Sequence, residues 1–542
     1  MESKSDIWTL ASAPESVRRL ERRRKERSFL QNFHPLILSQ RSQSIEPEAL
    51  SWQRQIANSR LPLYSAFTFL AVGMLVFSQT RSFFWDEGFH ILAAYLIRTG
   101  KRPYLDFFFP QTPLNAYWNA AWMAIFGPSW RVVHAVAALV TIGSVVLIVN
   151  YLFGLFPDHC WRQAAAFVGL GLFGLHARVW MVGTISQAYP LCLLLVVVAF
   201  RIALVAVARP RFSMSALAGL CAGAAAASSL LAAPASPVLL IWIWLYNRAG
   251  NRWIKSAAFL CGAIAPFIPV LMLFARGTHQ VAFNILEYHA LYRRIAWPGA
   301  TAHDIGVASD WINSSPDLLL VVLGVAGFLF IRKNGFDARR LAEFRLCLWL
   351  PLAFAAQNLF AHPTFPMYFV FMIPFLTVLA VVGFYAVAKR LEYTGSPQVA
   401  AMVLTGITAV CLSTSIFENY SYTWPELEQV AAKVREVTPN DAPLWAPEHI
   451  YFLSRRPVPT GMEHANAHKL QLSPAESAVL HVLPKAEVDR QIKAGAFFTA
   501  VVCEDDEQVN ALKEWKVYSQ NAVIQDCTVF WQVEKRNLQP GP

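Results

Sequence analysis

The residues best suited to chemistry in this 542-residue chain are crowded between positions 80 and 129. Asp86 and Glu87 follow directly on an apolar run, with Gly88 and His90 behind them, and the stretch continues through Gly100, Pro103, Tyr104, Asp106, Pro110 and Pro113. A carboxylate at the edge of an apolar segment is partly desolvated, which raises its appetite for a proton and suits it to deprotonate a hydroxyl. Asp86 is the first candidate for such a base. If the stretch is helical, Glu87 points about 100° away, so the two acids do not serve one proton equally. Asp106 either assists the base or closes a turn. The plainer alternative is that Asp86 caps the following helix and Glu87 completes an acidic first turn, and both roles can coexist at a helix N-terminus. Asp86, Glu87 and His90 also have spacing that allows a shared metal ion; a carboxylate pair with one histidine is a weak signature, so a divalent cofactor stays open and no metal ligand is assigned.

The elements that must position these groups are two short amphipathic helices. Residues 87 to 98 place Phe89, Leu92, Ala93 and Leu96 on one stripe, and residues 113 to 126 begin at Pro113 and carry Tyr117, Trp118 and Trp122. Both read as helices lying along a membrane interface. The membrane itself follows from composition: 55% hydrophobic residues, 15% charged residues and a mean hydropathy of +0.38 nearly exclude a water-soluble chain. About eleven spans are expected, at 61–79, 130–153, 163–176, 188–208, 214–232, 236–247, 254–275, 317–331, 344–361, 366–388 and 399–417. With the N-terminus in the cytoplasm, the connections holding Arg162, Arg209, Arg211, Arg248, Arg252, Lys255, Arg339, Arg340 and Lys389 all fall on the inner side, as the positive-inside rule asks.

Three regions result: a basic tail at 1–60, a transmembrane bundle at 61–417 with outer loops at 80–129 and 276–316, and a small α/β domain at 418–542 outside the cytoplasm. The arginine-rich tail, Arg18 to Arg27, reads as a cytoplasmic segment near anionic lipid, not as a nucleic-acid patch. In the last region Lys485 to Lys493 has helical spacing, while Phe497 to Cys503 and Cys527 to Val533 read as strands. Cys503 and Cys527 can pair if the compartment is oxidising, although spacing alone does not decide it. No phosphate-binding glycine motif appears there, which sets nucleotide-driven functions aside.

The order W-D-E-G, G-x-x-P-Y-x-D-F and P-Q-x-P-L-x-x-Y resembles the first outer loop of the C-type glycosyltransferases (GT-C), in the branch of dolichyl-phosphate-mannose:protein mannosyltransferases and bacterial aminoarabinose and galacturonic acid transferases. A second fragment, from His362 through Tyr368 to Pro374, is similar to the sequence that opens a late span in that branch, with wider spacing. The resemblance implies an inverting hexosyl- or pentosyltransferase. Its donor would be a polyprenyl-phosphate sugar and its acceptor a glycolipid, lipopolysaccharide or protein, at the outer face of a bacterial inner membrane. Such a reaction needs a base, cations for the departing phosphate and a lipid-accessible groove. Arg276, His279, Arg293, Arg294 and His362 are the candidates for phosphate, and His90, Tyr104 and Tyr368 complete the substrate-facing set. A transporter or flippase of a lipid-linked intermediate is the alternative, but it asks for acids deep inside spans, whereas here they gather at loop entrances.

Overall fold

The computed structural model describes residues 61–83, 86–292, 299–334, 336–417, 422–503 and 505–533. Seven helices among them are long and apolar enough to cross a membrane: Leu61–Thr80, Trp130–Phe153, Tyr189–Ala208, Arg252–Arg276, Ser315–Lys333, Pro366–Arg390 and Pro397–Ile416. The protein is an integral membrane protein. Every one of the eleven expected spans is helical, but by length and composition the count is seven, or eight with a bent pair. Phe212–Ser228 and Leu230–Tyr246 are too short to pass alone. Ala338–Phe360 is long, and Arg339, Arg340, Glu343 and Arg345 in its first turns lower its apolarity.

The segment expected at 163–176 is the bent pair. Helix His159–Gly169 runs through a π-turn at Leu170–Gly174 and resumes as Ala177–Gly183 at an angle of 57°. At the break the His176 ring accepts the Arg178 N–H, and both side chains hold the buried carboxylate of Asp317, at 3.2 and 2.9 Å. The bend therefore carries its own polar clamp. Elsewhere small residues let backbones touch: a Cβ on Gly327 would sit 2.0 Å from the Leu379 carbonyl oxygen, and one on Gly383 would sit 1.8 Å from that of Leu323. Helices Ser315–Lys333 and Ile373–Arg390 pack this closely because no hydrophobic force joins helices in lipid, so contact must come from shape.

The first outer loop folds as expected into helices Glu87–Arg98 and Leu114–Phe126. Along one side of the second, Trp118 meets Trp122 edge to face at 5.5 Å and Trp122 stacks on Phe126 at 5.8 Å.

The terminal domain holds a four-stranded sheet in the order β1-β2-β4-β3, with β1 Leu444–Trp445, β2 Thr499–Cys503, β3 Tyr518–Ile524 and β4 Cys527–Val533. β1 runs parallel to β2, and the other pairings are antiparallel. Cys503 lies opposite Cys527 in the β2–β4 register and the two form a disulfide. The domain sits on the first outer loop, so the two share one side of the bundle. The Phe83 N–H donates to the Tyr422 carbonyl at 3.0 Å, and Phe108 stacks on His464.

Candidate active site

The acidic pair is divided by the helix it begins. Asp86 occupies the N-cap position of Glu87–Arg98, yet its carboxylate makes no capping hydrogen bond and its side chain is exposed. One residue on, the rotation of the helix carries Glu87 inward until it is wholly buried. There its Oε1 meets the His134 Nε2 at 2.5 Å and accepts the Ser186 N–H at 2.8 Å, while Oε2 accepts the Trp424 indole N–H at 3.2 Å. The other His134 nitrogen faces the Ser78 carbonyl at 2.8 Å. Both ring nitrogens thus face oxygen atoms of the protein. Burial opposes ionisation of Glu87, but His134, Arg81 and the Ser186 N–H outweigh it and hold its carboxyl at about 2. Glu87, expected among the catalytic residues, thus has both carboxylate oxygens on protein partners.

Three further candidates have structural posts. The Asp106 carboxylate takes the Arg102 guanidinium in two bonds of 2.9 and 2.7 Å and the Arg102 backbone N–H at 2.7 Å, locking a turn. Tyr104, inside that turn, is wholly buried at φ 70°, an unusual conformation for an aromatic residue; its hydroxyl donates to the Gln111 carbonyl at 2.7 Å. His90 is buried between Phe89 and Phe109, and burial, aided by neighbouring His464, pushes its ring down to about 3, so it is uncharged at neutral pH. None of these three is among the residues lining the cavity described next. Arg276 and His279 are exposed at the edge of the second outer loop, outside the cavity described next, and Arg293 and Arg294 lie outside the described residues. Among the described residues, no three His, Cys, Asp or Glu side chains form a group that would hold a metal ion, so Asp86, Glu87 and His90 do not converge on one.

His362 and Tyr368 are brought together. They line a cavity of about 300 Å³ whose other polar walls are Gln111 and Thr112 of the first outer loop, Ser229, His289 and Gln357. Ile285, Leu286 and Phe360 give it an apolar side. Asp304 anchors this wall: one carboxylate oxygen pairs with His362 Nδ1 and the other accepts the Thr364 N–H at 2.6 Å. On the opposite wall the His289 Nε2–H donates to the Pro110 carbonyl at 2.6 Å, and Asn284 accepts the Phe109 N–H at 2.8 Å. Asn284 and His289 share a face because Phe283–Tyr292 is a π-helix, in which residues five apart align. Sequence reasoning missed His289, Asp304 and Gln357. An α-helical reading separates 284 from 289, and Asp304 is separated from His362 by 58 residues.

No family model and no curated protein sequence matches the chain. Solved structures do. ArnT from Cupriavidus metallidurans bound to undecaprenyl phosphate superposes with a TM-score of 0.61 at 16% identity, over 88% of this chain and 99% of that one. The chain shares the fold of that protein. The apo state of the same enzyme gives 0.59 over 87% and 98%. An oligosaccharyltransferase from Archaeoglobus fulgidus, in complex with zinc and sulfate, is more distant at 0.47 and 14% identity, over 84% of this chain and 71% of that one. The expected membrane bundle followed by a small C-terminal sheet is therefore present.

Proposed function

We propose that this protein is a glycosyltransferase that moves one sugar from a polyprenyl-phosphate donor to an acceptor at the outer face of the cytoplasmic membrane. The observation that carries the reading is the division of the acidic pair: one carboxylate is locked away as a counter-ion, and its neighbour is presented at the surface of the first outer loop. In a fold shared with a protein solved with undecaprenyl phosphate, an exposed acid at the N-terminal end of a helix supports the reading of Asp86 as the base.

The step is a single displacement with inversion. The acceptor oxygen attacks the anomeric carbon, the bond from that carbon to the phosphate oxygen breaks, and the electron pair leaves with the polyprenyl phosphate. Asp86 takes the acceptor's proton. His362 and Tyr368 supply hydrogen-bond donors for the departing phosphate in a cavity between the two outer loops, with the imidazole of His362 oriented by Asp304. The disulfide of the terminal domain supports an oxidising compartment for that side, which agrees with an extracytoplasmic C-terminus. The buried acids of the spans, Asp317 and Glu343, are held by arginines, an arrangement that gives no support to a transport cycle.

The test is Asp86→Asn, assayed in membranes with a radiolabelled polyprenyl-phosphate sugar pool and the native lipid and protein acceptors. Transfer is expected to fall by about 10²-fold or more with the protein still extracted as a monodisperse species. Wild-type turnover by this variant would remove the base assignment.

A further inference from the structure

On the face of the bundle opposite the terminal domain, a second cavity of about 440 Å³ opens between the ends of three helices: Trp130–Phe153, Tyr189–Ala208 and Ala338–Phe360. Its wall carries Arg201, Arg209, Arg339 and Arg340 against one acid, Glu343. Four guanidinium groups against one carboxylate leave three positive charges.

Glu343 is spoken for. Its Oε1 accepts from Arg339 Nε at 3.0 Å, and its Oε2 accepts from Arg340 at 2.8 Å and from the Tyr151 hydroxyl at 3.0 Å. Arg340 also reaches the Gly154 carbonyl at 2.9 Å. These bonds give the cavity a rigid back wall. They leave Arg201 and Arg209 facing it with no carboxylate within ion-pair distance among the described residues.

Arg201 is the telling residue. Topology asks for positive charge in the connecting loops, and Arg209 obeys that rule. Arg201 does not lie in a loop: it is seven residues inside the span Tyr189–Ala208, about 10 Å from its end. An ionised group at such depth is costly unless something meets it, and among the described residues the Tyr151 ring lies 5.1 Å from the guanidinium. The cavity adjoins a narrow apolar crevice walled by Leu204, Val207 and Trp242, which shares Arg339 and Glu343 with it. A cationic mouth at headgroup depth beside an apolar crevice is the shape of a lipid, with its phosphate in the mouth and a chain along the helices.

From this geometry we infer that the cavity binds the headgroup of an anionic phospholipid, with charge enough for the two phosphates of a cardiolipin. The site is separate from the outer cavity and does not depend on the glycosyltransferase reading.

The experiment is native mass spectrometry of the full-length protein purified in detergent, titrated in separate arms with cardiolipin, phosphatidylglycerol, phosphatidylcholine and inorganic phosphate. Cardiolipin is expected to bind most tightly, phosphatidylglycerol less so and phosphatidylcholine only at background. Arg209→Gln, an exposed change that leaves every described hydrogen bond in place, should weaken cardiolipin about fivefold, and Arg201→Gln with Arg209→Gln about 25-fold, with phosphatidylcholine unaffected. Unchanged cardiolipin binding by Arg209→Gln would overturn the inference even if the double variant failed to fold. Inorganic phosphate that binds as tightly as cardiolipin and displaces it would also overturn it, since the cavity would then be a site for free phosphate.

Discussion

Glu87→Gln separates a structural acid from a catalytic one. Glutamine fills the same volume but removes the charge opposite the His134 ring, and its amide presents a donor where the carboxylate had only acceptors. Either the His134 N–H or the Trp424 indole N–H then meets an N–H instead of an oxygen. Both partners of the ion pair are wholly buried, so solvent does not screen the loss. Breaking one side of such a pair costs about 3–5 kcal/mol, a large part of the roughly 5–15 kcal/mol that holds a typical domain. At about 2 °C per kcal/mol, appropriate to large domains, the melting temperature should fall by about 6–10 °C. The assay is heating of a fluorescent fusion in detergent followed by size exclusion, with Asp86→Asn beside it as a variant expected to melt like wild type. His134→Gln should cost as much alone and add little on top of Glu87→Gln, since the second change removes a partner already lost. A Glu87→Gln protein that melts with wild type and loses only transfer would refute the reasoning and return Glu87 to the chemistry.

Tyr368→Phe removes a hydroxyl from the cavity wall without altering its shape and should lower turnover about tenfold with unchanged melting, read by the transfer assay. Asp304→Asn should raise the donor KM more than it changes kcat, because it releases His362 from its orientation; a pure loss of kcat would assign Asp304 a different part. Glu463 is buried in the terminal domain, and burial raises its carboxyl from 4.5 to about 7 despite the Gly461 N–H it accepts. Its folded pKa lies above the unfolded one, so its contribution is full below about 4.5 and is lost as pH rises through about 7. Glu463→Gln should therefore flatten the pH dependence of melting in that window and stabilise the protein at pH 8 by about 3 kcal/mol. Replacing Cys503 and Cys527 together by serine opens a link between residues 24 apart and should cost about 3 kcal/mol, measured by the same melting assay.

The sequence was most readable where a pattern is local. Helix Glu87–Arg98 and helix Lys485–Lys493 begin and end where their periodicity does, since an apolar stripe and flanking polar residues specify a helix without outside help. β4 Cys527–Val533 was equally plain, being packed against strands on both edges and rich in apolar residues. Its neighbour β3 was missed because Tyr518–Ile524 is an edge strand with most side chains facing water, so its Ser, Gln and Asn residues hide it. The site divided in the same way. Helix rotation already set Glu87 apart from Asp86 in the sequence, but its fate is decided by His134, 47 residues on, and Trp424, 337 residues on. The Arg102–Asp106 clamp was within reach of a turn argument, whereas the alignment of Asn284 with His289 required a π-helix that no residue pattern announces.

The buried carboxylate of Glu87 also sets an order of assembly. Its partners arrive with the growing chain in sequence: the His134 ring from the second span, the Ser186 amide just before the span Tyr189–Ala208, and last the Trp424 indole, the first residue of the terminal domain's opening helix. Until Trp424 docks, one oxygen of an otherwise enclosed anion lacks its donor. The terminal domain is thus a late quality check on the bundle: its entry completes a polar circuit begun more than three hundred residues earlier, and a chain cut short before that point is left with a recognisable defect at the membrane surface.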